Sequence, residues 1–341
     1  AVDRLSQAFS DRASQTHAPA TGPFVKRYKR SVAVLLILVT SFALGKIWPF
    51  FQTYPEQYYL TTGGFWNDLV KYMNINFFDQ FEAVKLFFLQ WFLLPTKRFF
   101  LGLPWPWAIA MVSLLGWRFG GWKLALMNLL MGLFIVTTGM WEKAMITVYL
   151  CGVSVVIASV IGIPLGVLAA TSRRAGGIIG VVIDTLQTLP SFVYLIPVVM
   201  LFRIGDFTAM IAIVLYALVP AVRYAAHGVR SVSHDLIEAG VAAGCTRWQL
   251  LSRIRLPLAM PELLLGLNQT IMLALSMLVI TALVGTRDLG QEVYIALTKA
   301  DTGRGLVAGL GIAFIAIMAD RVISASAKAA RRRYGLEDAH G

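Results

Sequence analysis

Apolar runs close to 20 residues long recur down this chain of 341 residues, and no other feature narrows its fold so far. Coiled as a helix, a run of that length matches the hydrocarbon thickness of a bilayer. Inside that hydrocarbon every backbone N–H and C=O must be paired within the chain, which an α-helix does within a single segment. Charge is thin: 14% of residues are charged and 57% are hydrophobic, against about 25% and about 45–50% in soluble domains. A water-soluble enzyme of this length is therefore not expected. The predicted class is an all-α polytopic membrane protein with about eight transmembrane helices.

The expected spans are Ser31–Ile47, Pro104–Trp117, Trp122–Thr138, Ala144–Ala170, Ile178–Phe202, Phe207–Ala226, Leu263–Val284 and Leu306–Ile323. Residues 1–30 are polar, end in Lys26, Arg27, Lys29 and Arg30, and read as a flexible basic tail. The run that follows has the flank of a signal peptide, but it starts late and lacks a small-x-small cleavage site, so a first membrane helix is preferred. Residues 31–103 combine that helix with an aromatic segment. There Asp79, Glu82 and Lys85 share one helical stripe, with Phe77, Phe81, Val84 and Phe88 largely opposite. This is the pattern of a helix lying in the interface. Lys97 and Arg98 speak against a simple span through it.

The formal charge is +12, from 30 Lys and Arg against 18 Asp and Glu. Basic residues concentrate in alternate loops: Arg118 and Lys123; Arg173 and Arg174; Arg230, Arg247, Arg253 and Arg255; and the tail 326–341 with Lys328 and Arg331–Arg333. The positive-inside rule then predicts both termini in the cytoplasm of a bacterial plasma (inner) membrane. The intervening loops are mixed in sign. Cys151 lies in an apolar run and Cys245 in a polar loop, so no disulfide framework is expected.

The loop 230–262 is patterned as two short helices. Ser233 or Asp235 can cap the first, and Gly244 suits its left-handed stop. Thr246 with Gln249 three residues on reads as a capping box, and the second helix is expected to end before Pro257. A DNA-binding helix-turn-helix is set aside, because membrane spans flank the loop on both sides. A compact cytoplasmic hairpin is instead a knob that a soluble partner can grip. Ala239, Gly240, Ala242 and Ala243 form its small-residue face, and Glu238 offers a carboxylate.

The spacing Glu238-Ala239-Gly240, three residues, Gly244, nine residues, Ile254-x-Leu256-Pro257 resembles the EAA loop of ABC importer permeases. Gly240 stands where that motif usually has Ala. Further stretches resemble the glycine betaine/proline betaine/choline branch of the family: Gly162 to Gly166, Asp184 to Pro197, Leu256 to Pro261, Asn268 to Met277, and Gly285 to Gly290. The resemblance covers roughly residues 104–325 and implies the type I ABC permease fold. It implies that Glu238, Ala239, Gly240, Ala243, Gly244, Ile254, Leu256 and Pro257 couple to an ATPase. It also implies the partners: two copies of a cytoplasmic ATPase carrying ATP and Mg, a second copy of the permease, and an extracytoplasmic substrate-binding protein. No cofactor is expected on this chain and no nucleic acid partner. It has no G-x-x-x-x-G-K-[ST] phosphate loop, so it is not expected to be an enzyme. His17, His227, His234 and His340 are scattered, and no metal site is expected.

A quaternary or tertiary amine of the compatible-solute type is the implied cargo: glycine betaine or proline betaine first, with choline, carnitine and trimethylamine N-oxide open. Aromatic faces attract such cations without a buried counter-charge. Candidate pathway residues are Gln187, Thr188, Pro190, Phe192, Tyr194, Asn268, Gln269, Thr270, Ser276 and Met277. For the polar ones, hydrogen bonding between helices is the competing reading. Asp184 reads either as a gate or as a salt bridge to Arg173 or Arg174. Gly162-x3-Gly166 and Gly305-x3-Gly309 read as close-packing sites. Two other functions stand beside this one: an ABC permease for another small solute such as an amino acid, and an ATP-independent secondary transporter.

Overall fold

The computed structural model describes residues 29–47 and 56–333. The basic tail expected over 1–30 lies outside them except for its last two residues, and so do residues 334–341. Packing divides the chain into two units, Ala1–Trp66 and Asn67–Gly341. The first holds α1 (Lys29–Ile47), a single apolar helix with exposed Val and Leu side chains, and the start of α2 (Gly63–Asn76).

In the second unit, α3 (Phe78–Phe88) runs through a wide π turn, Leu89–Leu93, into α4 (Leu94–Gly102). Of the aromatic face expected for this segment, Phe81 and Phe88 pack inward while Phe77 and Val84 stay exposed. Phe81 meets Phe202 edge-on, and Phe88 meets Phe207. On the other stripe Asp79 is exposed, while Lys85 and Glu82 are half-buried and paired at 3.3 Å. Next come α5 (Trp105–Gly120), α6 (Trp122–Thr137) and α7 (Trp141–Thr171). They are followed by α8 (Arg173–Thr188), α9 (Ser191–Phe202) and α10 (Asp206–Arg230). After the polar hairpin come α13 (Leu256–Thr281), α14 (Leu289–Lys299) and α15 (Thr302–Arg333). The last of these runs on through the first part of the expected C-terminal tail.

The core forms where α7, α10 and α13 meet. Tyr149, Leu150, Ile213, Met277 and Leu278 are fully buried there. Small residues set how closely the helices approach. A Cβ on Gly162 would stand 2.6 Å from the Cβ of Ala221, and one on Gly166 the same distance from Ala225. Only bare glycine lets α7 and α10 touch at that spacing. The second pair behaves differently from the expectation: Gly305 lies against Ala296, but Gly309 faces open space.

The count of about eight spans is corrected. Among the described residues four helices are long and apolar enough to cross a bilayer: α7, α10, the continuous stretch Arg247–Val284, and α15. The count reaches six if each of two sharply bent pairs is one span. The reason is geometric. The expected spans Pro104–Trp117 and Trp122–Thr138 become helices of 16 residues each. At 1.5 Å per residue each is about 24 Å long, short of a hydrocarbon core of about 30 Å. The α3–α4 rod and α5 then meet at 96°. The expected span Ile178–Phe202 breaks into α8 and α9 at 97°. Leu189 and Pro190 sit at its corner with extended backbone, because proline drives the residue before it out of the helical region.

Candidate functional site

The hairpin between α10 and α13 starts with α11 (His234–Ala242). Ser233 precedes it in extended backbone but makes no side-chain cap bond, so the expected cap is absent. Its other end closes as the sequence predicts. Gly244 has φ +79°; its N–H donates to the Val241 carbonyl, and the Cys245 N–H to the Gly240 carbonyl, at 2.9 and 3.0 Å. This paired closure needs a left-handed residue, which glycine adopts without steric cost. α12 (Arg247–Gln249) then opens on a complete capping box. The Thr246 hydroxyl accepts from the Gln249 N–H, and the Gln249 side chain accepts from the Thr246 N–H.

The second helix does not end before Pro257. It widens into a π turn, Leu250–Arg255, and continues as α13. Proline lacks an N–H and its ring crowds the carbonyl one turn earlier. It falls in the first turn after the wide segment, where that loss is cheapest.

Gly240 is corrected in role. It does not belong to an outward small-residue face but is buried. A Cβ there would meet Ile254 Cδ1 at 2.7 Å and Leu250 Cδ2 at 3.0 Å. Gly240 thus lets α11 seat on the second helix. Ala239, Ala243 and Gly244 are exposed, while Ile254, Leu256 and Pro257 are half-buried. The Glu238 side chain is 69% exposed, 3.2 Å from His234 one turn back. His227 is also exposed. The sequence reading missed the apolar part of this surface. Trp248 is 71% exposed, with Leu236 and Val241 also open to solvent. A tryptophan between the two capping-box residues was the available signal, since a lone exposed tryptophan is an unusual cost to leave uncovered.

The pathway candidates separate into two groups. Gln187, Thr188, Pro190 and Phe192 are exposed at the α8–α9 corner, and Gln269 and Ser276 are exposed on α13. Tyr194, Asn268, Thr270 and Met277 are buried. Met277 and Tyr194 belong to the core. The Tyr194 hydroxyl has no hydrogen-bond partner, and its ring lies 6.5 Å from that of Tyr216. Thr188, Thr270 and Ser276 donate to carbonyls three or four residues earlier in their own helices. Asn268 donates to Asp320 on α15 at 2.6 Å, which is the interhelical role weighed against a pathway role. Asp184 pairs with Arg223 on α10 at 2.7 Å, not with Arg173 or Arg174.

Two charge clusters were not legible as units. Lys97 on α4 reaches Asp206 at the start of α10 at 2.8 Å, and the Tyr149 hydroxyl donates to the same carboxylate. The other surrounds α14. Glu292 accepts from Arg304 Nε at 2.7 Å and pairs with Lys143 at 3.3 Å. Burial pushes its carboxyl up, but bonds from Arg304 and Lys143 outweigh this and hold it below the usual range. Four residues earlier Asp288 is fully buried and caps α14 through the Gln291 N–H. One of its oxygens has no partner. Burial raises it to about 6, against the opposing bonds from the Gln291 N–H and the Thr286 hydroxyl.

The described residues thus form a multi-pass helical bundle with an exposed hairpin between two of its spans. The chain belongs to the family of binding-protein-dependent transport system inner membrane components, whose pattern matches residues 162–334. It is a permease component. It is 39% identical over 237 residues to the glycine betaine/proline betaine transport system permease protein ProW of Escherichia coli (strain K12), covering 70% of this chain and 67% of that one. It is 41% identical over 231 residues to the glycine betaine/carnitine transport permease protein GbuB of Listeria monocytogenes serotype 1/2a (strain 10403S), covering 67% and 82%. Over 270 residues it is 37% identical to the trimethylamine N-oxide transport system permease protein TmoV of Pelagibacter ubique (strain HTCC1062). That match takes in 79% of this chain but spans only 38% of TmoV. A chain of the MetNI methionine ABC transporter in an inward-facing conformation shares the fold, with TM-score 0.52 at 19% identity, over 55% of this chain and 94% of that one.

Proposed function

We propose that this chain is the permease subunit of an ATP-driven importer for a compatible-solute amine, glycine betaine or proline betaine first. The observation that carries the cargo is that relatives 37–41% identical over two thirds or more of this chain are named for glycine betaine, proline betaine, carnitine or trimethylamine N-oxide. Choline remains a further candidate of the same chemistry. The chain works with two copies of a cytoplasmic ATPase, a second copy of itself and an extracytoplasmic binding protein. Both termini lie in the cytoplasm, and 104–325 form the transport domain. The hairpin within 230–262 is the coupling surface. Glu238, Ala239, Ala243 and Gly244 face the ATPase together with Trp248, while Gly240 and Ile254 hold the hairpin rigid. Gln187, Thr188, Phe192, Gln269 and Ser276, all exposed on this protomer, line the path.

The test is uptake of labelled glycine betaine into proteoliposomes holding this chain, its ATPase and its binding protein. Proline betaine, carnitine, choline and trimethylamine N-oxide serve as competitors. ATP-dependent accumulation is expected, and ATP-independent uptake would overturn the reading. Glu238→Lys reverses the charge of an exposed side chain and should leave membrane insertion intact while separating ATP hydrolysis from uptake. Normal uptake by that variant would remove the coupling assignment.

A further inference from the structure

We propose that the groove bordered by α5, α6, α7 and α15 is a binding site for one anionic phospholipid. Two adjoining cavities make this groove. The first, about 310 Å³, is walled by apolar side chains such as Ile109, Ile135, Met145, Ile315 and Met318. The amide that borders it, Asn128, donates from its N–H₂ to the Val112 carbonyl at 3.1 Å, and its Oδ1 is buried without a partner. The second, about 600 Å³, opens at the end where α5 meets α6 and is bordered by Lys123, Arg321 and Lys328.

Polarity changes in order along one helix. On α15 the apolar lining runs from Ile315 to Ile323, and the basic lining from Arg321 to Lys328. At 1.5 Å per residue the apolar part is about 12 Å long, close to the hydrocarbon depth of one leaflet, about 15 Å. The next turns then stand at headgroup level. Basic pockets between membrane helices are suited to phosphate-bearing lipid heads.

The occupant follows from charge and coverage. Lys123 and Lys328 make no ion pair among the described residues, and Arg321 has only Asp320 at 3.8 Å. α15 is also the span least covered by its own chain, 11% buried against 33–61% for the other three. A second copy of the chain seated there about a twofold axis would bring the same basic residues against each other, which disfavours it. An acyl chain with an anionic head satisfies both halves of the groove. The inference rests on membrane placement and not on the proposed cargo.

The full chain in nanodiscs, with a phosphatidylglycerol carrying a photoactivatable acyl chain, tests this directly. Labelling is expected on α15 and α6 peptides around Met318 and Ile135. It should be competed at least about tenfold better by unlabelled phosphatidylglycerol than by phosphatidylcholine. Lys123→Gln, Arg321→Gln and Lys328→Gln should each lower the competition about fivefold. Ala319→Trp, which fills the apolar cavity and keeps every charge, should abolish labelling there. Equal competition by the two lipids, or labelling spread evenly over other helices, would overturn the site. Competition by inorganic phosphate alone would assign the basic end to a free anion and overturn the lipid. A disulfide between two copies carrying Ala319→Cys would assign the groove to the second protomer. The wild-type lipid comparison decides even where a variant fails to fold, and uptake of betaine plays no part in it.

Discussion

Asp288 shows how one residue can set a pH response without touching a substrate. Its ordinary value is 3.8, and burial holds it near 6 in the folded chain. Ionisation is then resisted by the fold, so this group's contribution is fully present below about 3.8 and declines as pH rises to about 6. Glu292 works in the other direction: its carboxyl is lowered from 4.5, so its contribution is present above that value and lost as pH falls further. Between about pH 4.5 and about 6 Asp288 therefore contributes a fall in stability with rising pH. The shift is equivalent to at most about 3 kcal/mol. Thermal unfolding of the detergent-solubilised chain should show a melting temperature that falls across that window. Asp288→Asn keeps an N-cap for α14 and should flatten the dependence; an unchanged slope would assign it to another group. Gly240 is the second informative residue. Gly240→Leu forces a side chain into Leu250 and Ile254 and should destabilise the hairpin by about 1–3 kcal/mol. Faster proteolysis between α11 and α12, with the membrane core intact, is the expected readout.

At the scale of elements, some helix ends follow local chemistry closely. The Thr246–Gln249 box and the Gly244 closure were readable from sequence, because a cap is satisfied within a few residues. Thr246→Ala should cost about 1 kcal/mol of local stability, seen as faster amide exchange over α12. In the sequence the α8–α9 corner shows only as Pro190 within the expected span Ile178–Phe202. Its size, 97°, depends on α9 docking against α10 and on Phe202 meeting Phe81 and Phe207. The Lys97–Asp206 pair is similarly non-local, since 109 residues separate its partners. Lys97→Ala leaves a mostly covered carboxylate with Tyr149 as its remaining partner and should cost on the order of 2 kcal/mol. Lys97→Met with Asp206→Asn should recover part of it, measured by thermal unfolding.

For the whole molecule, topology is the property most open to a direct check. Cys245 sits in the hairpin and is half-exposed, whereas Cys151 is buried in the core. With the hairpin in the cytoplasm, a membrane-impermeant maleimide should label Cys245 in inverted vesicles and not in right-side-out cells. Labelling in intact cells would reverse the orientation. Composition and run length alone determined that the chain is a helical membrane protein, since only such a chain can leave so much apolar surface with so little charge. Spacing of near neighbours determined the Gly244 closure, the Thr246–Gln249 box and the family resemblance. What the tertiary structure alone decided was which runs cross and which bend, and which polar side chains are spent inside the bundle. Asn268 went to Asp320, Asp184 to Arg223 and Glu292 to Arg304. A hydropathy run carries no information about angle. A polar residue's partner is chosen by which helices come to lie side by side, and that is settled only when close-packing residues such as Gly162 and Gly166 bring distant segments into contact.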